Sequence, residues 1–505
     1  MRKATLIKLL TICVSAGFIT SCTCSEGEYA RFCASLPFEM QVPQRPSIPE
    51  RSVCISTYGG NGNGIELNTD AFEAALSDLA SKGGGHLVVP AGVWRTGPIT
   101  LRSNIDLHLE HEAVLVFDPS LDLYPIVNTV YEGLDTRRCE SPIHAEGAHD
   151  VSITGGGVID GSGDAWRMVR RSKMNEAQWK AKVASGGYLE ADAWYPDQIY
   201  KAAQASAGAF GVADSSFDEN EIKRFLRPVL ISFRDCENVL LEDCLFQNSP
   251  AWNIHPFKCR NVIINNIEVR NPAYSQNGDG IDIDSCENVL LLNSSFDCGD
   301  DGICVKSGKD EDGRRRAAPC RNLVVSGCTV YNGHGGFVVG SEMSGGVQNV
   351  SVSDCRFLGT DVGLRFKSTR GRGGVVEGIW IDGISMTDIQ TDAVLFDLFY
   401  MGKSAVEAAD GQEVEEPALP VDETTPAFRD IHISNIVCAG ARRAMYFNGL
   451  PEMPVSGISI SNCTISSKKG IDIRWSNDVT LNNVAVFAEK GESVTTSHVN
   501  NFTMD

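Results

Sequence analysis

The sequence has no apolar run long enough to cross a bilayer. Its uncharged N-terminal stretch, Leu9 to Ser21, falls short of the about 20 residues that a spanning helix needs. Positive charge is also scarce, with 44 Lys and Arg against 65 Asp and Glu, a net of −21 at pH 7 and an isoelectric point near 4.9. That balance argues against a nucleic-acid partner held by bulk attraction, and any anionic ligand would need cations gathered in its site. What the chain does have is apolar material, 42% of 505 residues and spread throughout. This excludes a disordered chain and a multi-pass membrane protein.

Arg2, Lys3 and Lys8 precede or enter the uncharged stretch, so residues 1–21 are expected to be an export leader. The leader ends in Ile19-Thr20-Ser21-Cys22, which resembles a bacterial lipobox: cleavage before Cys22 and lipid on its thiol. The expectation is an exported lipoprotein of the outer membrane, on its periplasmic or outer face, with the membrane as a partner through that anchor. Residues 22–50 carry Pro43, Pro46 and Pro49 and few apolar groups, as in a tether. Residues 51–505 then form one folded domain.

A repeat dominates that domain. Copies read NVLLEDCLFQN from Asn238, NVIINNIEVRN from Asn261, NVLLLNSSFDC from Asn288, NLVVSGCTVYN from Asn322 and NVSVSDCRFLG from Asn349, spaced by 23, 27, 34 and 27 residues. Weaker copies begin at Gly378, Asp430, Gly457 and Asp478, with earlier ones near Asn104 and Asp150. Each copy is a short alternating strand, a polar corner and a second short strand, without helix between. That predicts an all-β chain folded as a parallel β-helix, one coil per repeat. Asparagine suits a corner in the left-handed region, where stacked amides can satisfy one another. A leucine-rich horseshoe is disfavoured because its regular leucine spacing is missing.

Seventeen cysteines in an exported chain would ordinarily suggest disulfides. Here Cys236, Cys259, Cys286 and Cys320 each stand two residues before the repeat's asparagine, and Cys244, Cys328, Cys355 and Cys463 recur six residues after the same slot. Fixed phase in a repeat predicts stacked apolar fillers instead of bridges. An amphipathic helix over 70–82, capped by Asn68-Thr69-Asp70, is placed to cover the first coil.

Two stretches interrupt the repeat. Residues 162–228 are expected to be a helical, aromatic-rich insertion, with Trp166, Trp179 and Trp194 available to stack on a ligand. Its 162–185 part carries six cations against two acids, which a solvated helix face or an arm for an anionic ligand would each explain. Residues 401–427 read as an exposed acidic loop.

Four constellations carry chemistry: Asn277-Gly278-Asp279-Gly280-Ile281-Asp282, Gly299-Asp300-Asp301-Gly302, Gly333-His334-Gly335 and Arg365-Phe366-Lys367. They are separated by 21 or 22, 34 and 31 residues, about one coil each. At the strand spacing of roughly 4.8 Å they should stack into one ladder of Asp, Asp-Asp, His and Arg/Lys. Clustered aspartates cannot all ionise easily, so one proton should be retained. Arg365 offers a planar fork for a carboxylate and Lys367 a point charge.

These motifs, in this order on a β-helix, resemble the polygalacturonases of glycoside hydrolase family 28. GGGHLVVPAGVW at Gly83, SPAWNIHPF at Ser249 and GSEMSGGVQNV at Gly340 support the resemblance, which runs from about Cys54 to the C-terminus. It implies a right-handed, pectin-lyase-like solenoid and hydrolysis of a galacturonide bond with inversion. By the same resemblance Asp300 is the general acid, Asp279 and Asp301 prepare the water, and His334 tunes the acid. Arg365, Lys367, Tyr400, Asn277 and His255 would contact a pectic polysaccharide or oligogalacturonide. No metal and no cofactor are implied. The usual NTD and RIK read NGD and RFK here, which leaves the charged groups in place. If the 162–228 insertion walls off one end of the groove, attack would come from chain ends. A calcium-dependent pectate lyase and a non-catalytic glycan-binding β-helix are the readings from other classes.

Overall fold

In the computed structural model, which describes residues 26–207, 216–404 and 416–505, the chain winds into a right-handed parallel β-helix. The predicted alternation becomes ladders in which equivalent residues of successive coils pair. Val239, Val262, Val289, Leu323, Val350, Ile379, Ile431 and Ile458 form one inward row. These rows make a continuous apolar core along the axis.

The asparagine corners behave as expected. Asn238, Asn261, Asn288, Asn322 and Asn349 all have φ between 55° and 57°, or 54° at Asn261. From Asn261 to Asn349 the Nδ2 of each donates to the carboxamide oxygen of the coil before, at 3.1–3.4 Å, and Asn238 Nδ2 donates to Asp150 Oδ1 at 3.3 Å. The cysteines among the described residues are free thiols, and the Sγ of Cys259 and Cys286 donate to backbone carbonyls at 3.3 Å within the stack.

Among the described residues five α-helices decorate the solenoid: α1 (Glu26–Cys33), α2 (Thr69–Ser81), α3 (Glu176–Ala184), α4 (Gln198–Ala207) and α5 (Asp310–Arg316). Helix α2 covers the N-terminal coil with Phe72, Ala75, Leu76 and Leu79. Asn68 does not cap it, because its side chain is occupied by the backbone of Asn61, Glu66 and Arg95.

Two expectations change. Residues 26–50 are not a loose tether: Tyr29 is buried against Leu240, Ile263, Leu290, Leu292 and Val324, and Arg45 pairs with Glu242 at 2.6 Å. The reason is visible in the repeats, whose outward positions here are Leu and Ile and need cover. The 162–228 insertion is only partly helical; it also holds a small antiparallel sheet, Val169–Arg170, Tyr188–Glu190 and Ala193–Tyr195. Its Trp166, Trp179 and Trp194 are 1%, 7% and 7% exposed, so they pack the insertion itself and cannot stack on a sugar.

Replacing Tyr29 with Ala should undock the 26–50 segment, since emptying a buried aromatic site costs about 3 kcal/mol. Limited proteolysis should then cut within 26–50 while the solenoid survives. Unchanged protection would show that the segment is held by other contacts.

Candidate active site

Four neighbouring strands on one face carry the chemistry: β1 (Ile281–Asp284), β2 (Asp301–Lys306), β3 (Gly335–Gly340) and β4 (Leu364–Lys367). Asp279 and Asp300 lie just before β1 and β2, and His334 just before β3. Each of Asp279, Asp300 and Asp301 offers a carboxylate oxygen within 4.8 Å of the others.

The motifs gather as expected, but not in a single row. Asp301 pairs with Gly335, whereas Arg365 shares its row with Val338, Cys304 and Asp282, and Lys367 with Gly340 and Lys306. Arg365 reaches back to Asp301 Oδ1 at 3.2 Å, and Lys367 Nζ meets Oδ2 at 2.6 Å. Gly335 is required by Val338: a Cβ there would lie 2.4 Å from Val338 Cγ2, whereas Arg365 Cδ, at 3.5 Å, would be in ordinary contact. Gly333, at φ 82°, closes the turn that brings the His334 amide to Asp300 O at 2.9 Å. His334 Nδ1 lies 2.9 Å from Asp300 Oδ1.

The three carboxylates differ electrostatically. Burial pushes Asp279 well above the usual carboxylate range, reinforced by Asp282 and Asp300. Burial would raise Asp301 as well, but Lys367, Arg365 and Lys306 outweigh it and hold that group well below the range. The cluster thus contains one committed anion and one proton-retaining acid, as mutual repulsion requires. Among the described residues these three form the single group spaced to hold a metal ion. Two cations already contact Asp301, so the counter-charge a metal would bring is present in the protein.

Of the remaining sequence candidates, Tyr400 joins the site, its ring centre 5.0 Å from Lys367 Nζ and 5.6 Å from the Arg365 guanidinium. Asn277 lines the cleft and accepts from Arg227 Nη2 at 3.0 Å. His255 does not reach the cleft. It is 1% exposed, enclosed by Trp252, Phe257 and Asp284, because its strand turns that side chain under the Trp252 ring.

Sequence reasoning missed a buried charge network beside the aspartates. Lys306 Nζ lies 2.7 Å from Glu342 and 3.6 Å from Asp282, under the Trp252 ring. The signal was available: in Ile281-Asp282-Ile283-Asp284 and Ile303-Cys304-Val305-Lys306, alternation alone turns the charged residues to the face of the cleft.

The cleft encloses about 590 Å³, enough for one or two sugar units by the usual size of ligand sites. No residue of the 162–228 insertion lines this cavity. A hairpin, Ile126–Tyr131 with Leu134–Cys139, leans across to α5: Asp135 pairs with Arg315 at 2.9 Å and Arg316 at 2.7 Å, and Lys309 N donates to Gly133 O at 3.1 Å. The hairpin tip, Glu132, lines the cavity. The opposite rim comes from Tyr400, Met401 and Gly402, so the root of the predicted acidic loop shapes the site; residues 405–415 of that loop lie outside the described residues.

His334 gains its proton more readily than a free imidazole, first through the Asp300 hydrogen bond and further through the charges of Asp300, Asp301 and Asp361, against burial. A raised histidine stabilises the fold fully below the unfolded value of about 6.5 and loses that contribution as pH rises through the folded value. Replacing His334 with Ala should therefore lower the thermal midpoint at pH 5 and leave it unchanged at pH 9. An equal loss at both would show that packing, not charge, is what His334 contributes.

Residues 212–465 match the sequence profile of glycosyl hydrolases family 28. The chain is 31% identical to a probable polygalacturonase of Vitis vinifera over 84% of its own length and 76% of that protein. It is 28% identical to an exo-poly-alpha-D-galacturonosidase of Dickeya chrysanthemi, over 68% of this chain and 57% of that one. Among solved structures, an exopolygalacturonase from Thermotoga maritima superposes with a TM-score of 0.72 at 31% identity, covering 89% of this chain and 95% of the other. A family 28 exopolygalacturonase of Yersinia enterocolitica gives 0.71 at 22% identity, over 90% and 78%, and so shares the fold. The breadth of the profile match and of the Vitis relative makes the protein a member of glycosyl hydrolases family 28, a glycoside hydrolase built on a parallel β-helix.

Proposed function

We propose that the protein cleaves galacturonide bonds of pectic polysaccharide or its oligosaccharides, working from chain ends and inverting the anomeric carbon. The observation that carries this reading is the state of Asp301, ionised and gripped at both oxygens by Arg365 and Lys367. A carboxylate held on both oxygens orients water well and attacks carbon poorly, which favours a water nucleophile over a covalent glycosyl intermediate. The aspartates stand closer than the roughly 6.5–9.5 Å that inverting glycosidases usually keep, so this grip, not the separation, supports inversion.

In this mechanism Asp300, fixed by His334, protonates the leaving oxygen. Asp279 and Asp301 position the water, and Asp301, the carboxylate held ionised, takes its proton. Lys367 and Tyr400 line the cleft, with the Arg365 guanidinium 5.6 Å from the Tyr400 ring centre, and would meet a uronate carboxylate there. Attack from chain ends follows from the hairpin and α5, which wall the cavity. The names of the Thermotoga and Dickeya relatives point the same way.

Early digests of polygalacturonate should accumulate one small saccharide while viscosity falls slowly, and NMR of the first product should show the inverted anomer. A rapid viscosity drop would overturn end attack, and retention would overturn the water-activating roles. Asp300→Asn should keep the fold and lose about 10²-fold or more in turnover, the usual scale of general acid catalysis; near-normal turnover would remove Asp300 from that role.

Export through residues 1–21 and a lipid at Cys22 belong to the same proposal. Both lie outside the described residues, and their support is Ile19-Thr20-Ser21-Cys22. Cells expressing the chain should incorporate labelled palmitate into it, and Cys22→Ser should abolish the label. Equal labelling of the variant would overturn the anchor.

A further inference from the structure

The sheet face that carries the aspartates continues past the hairpin over 126–139, and a second cavity, of about 370 Å³, lies there. One side of it is the coil ladder, in which His144 pairs with Thr100 and Ser232, and Ser232 with His255. The other side is the hairpin itself, from Val127 to Tyr131. The Tyr131 ring centre stands 4.8 Å from that of Trp252, which in turn lies 5.1 Å from the His255 ring. Tyr131 lines the second cavity and Trp252 lines the cleft, so this pair of rings is the partition between them.

The charges around the second cavity are already matched. Arg234 donates to Glu146 at 2.6 Å, and His144 Nε2 lies 3.3 Å from Glu140. Arg138 is buried, donates to the carbonyls of Arg227 and Phe225 at 2.8 and 3.3 Å, and lies 3.9 Å from the Tyr131 ring centre. Each cation that lines the cavity is therefore engaged, and Glu140 and Glu146 would repel a uronate.

What stays open is neutral. The Tyr131 hydroxyl is buried with no hydrogen-bond partner among the described residues. The side-chain hydroxyls of Ser141 and Ser232, both buried residues of the lining, have none there either. A buried hydroxyl left unpaired costs free energy, which a hydroxyl of a ligand would recover. Val127, Pro228 and Val229 add apolar surface beside these groups. Hydroxyls set against apolar surface, without a free charge, match the two kinds of group on an uncharged sugar ring, and the volume is at the low end for ligand sites, about one such unit.

We propose that this cavity is a binding site for a neutral sugar unit, separate from the catalytic cleft. The partition keeps the bound unit from the aspartates, so it is held and not cut. The site goes beyond the hydrolytic reading and does not depend on it.

The test titrates the full chain with the methyl glycosides of galactose, rhamnose and arabinose, followed by NMR, with methyl galacturonoside as the charged comparison. At least one neutral glycoside should bind saturably, with Kd on the order of 1 mM, the strength of a few hydrogen bonds to a small ligand. A Ser141→Ala, Ser232→Ala double variant should bind it about tenfold more weakly, the scale of two ordinary hydrogen bonds. Its affinity for the galacturonoside and its turnover of trigalacturonate should stay at the parent's values, because those belong to the cleft. Tyr131→Phe, which removes only the unpaired hydroxyl, should weaken the neutral glycoside in the same direction and serves if the double variant melts lower than the parent. Failure of all three glycosides to bind, or equal binding by parent and variants, overturns the site. A matching loss of galacturonoside affinity in the double variant overturns its neutral character, and a loss of turnover overturns its separation from the cleft. A parent that binds the glycoside but does not cleave trigalacturonate overturns the hydrolytic reading and leaves the site standing.

Discussion

Backbone hydrogen bonding from coil to coil fixes the position of every functional group in this protein. Each parallel ladder sets the next coil at the strand spacing of about 4.8 Å, so residues more than twenty positions apart in sequence become neighbours without any packing specific to them. The asparagine corners keep the register, since a one-residue slip would turn every inward row outward. The cleft is therefore an exposed edge of a very regular object, and its irregular parts are all insertions.

Within that frame the cost of burying charge has shaped the site. Asp301 is 1% exposed and Lys367 5%, and neither would be tolerable alone, because an unpaired buried ion costs several kcal/mol. Together with Arg365 they form a unit of two cations on one anion, which keeps Asp301 ionised, while burial and the neighbouring carboxylates raise Asp279. Lys306 is buried beside it between two acids, Glu342 at 2.7 Å and Asp282 at 3.6 Å. The glycines of Gly333-His334-Gly335 serve the same packing, because a Cβ would meet the Asp300 carbonyl at Gly333 and the Val338 side chain at Gly335.

Much of this was legible in the sequence because the fold is periodic. Recurring Asn238, Asn261 and Asn288 gave the coil, and motif spacings gave the neighbourhood of Asp279, Asp300, His334 and Arg365. Spacing in whole coils says nothing of position along a strand, which is why Arg365 and Asp301 were expected in one row and stand in different ones. Insertions have no period, and the tryptophans of 162–228 read as ligand platforms although they are that segment's own core. The hairpin over 126–139 carried no motif at all. Its role depends on Asp135 meeting Arg315 and Arg316, a long-range contact that no local pattern encodes.

That contact changes the mechanics of the molecule. In a solenoid each coil touches its neighbours alone, and stretches can open independently. Here the hairpin leaves the coil of Ile143, and α5 leaves that of Ile303, four coil steps later through Ile231, Ile254 and Ile281. The salt-bridged tie spans those coils like a strut across the turns of a spring. Coils that could otherwise fray separately must open together, so the part of the chain that holds the aspartates in register is also the part least free to breathe.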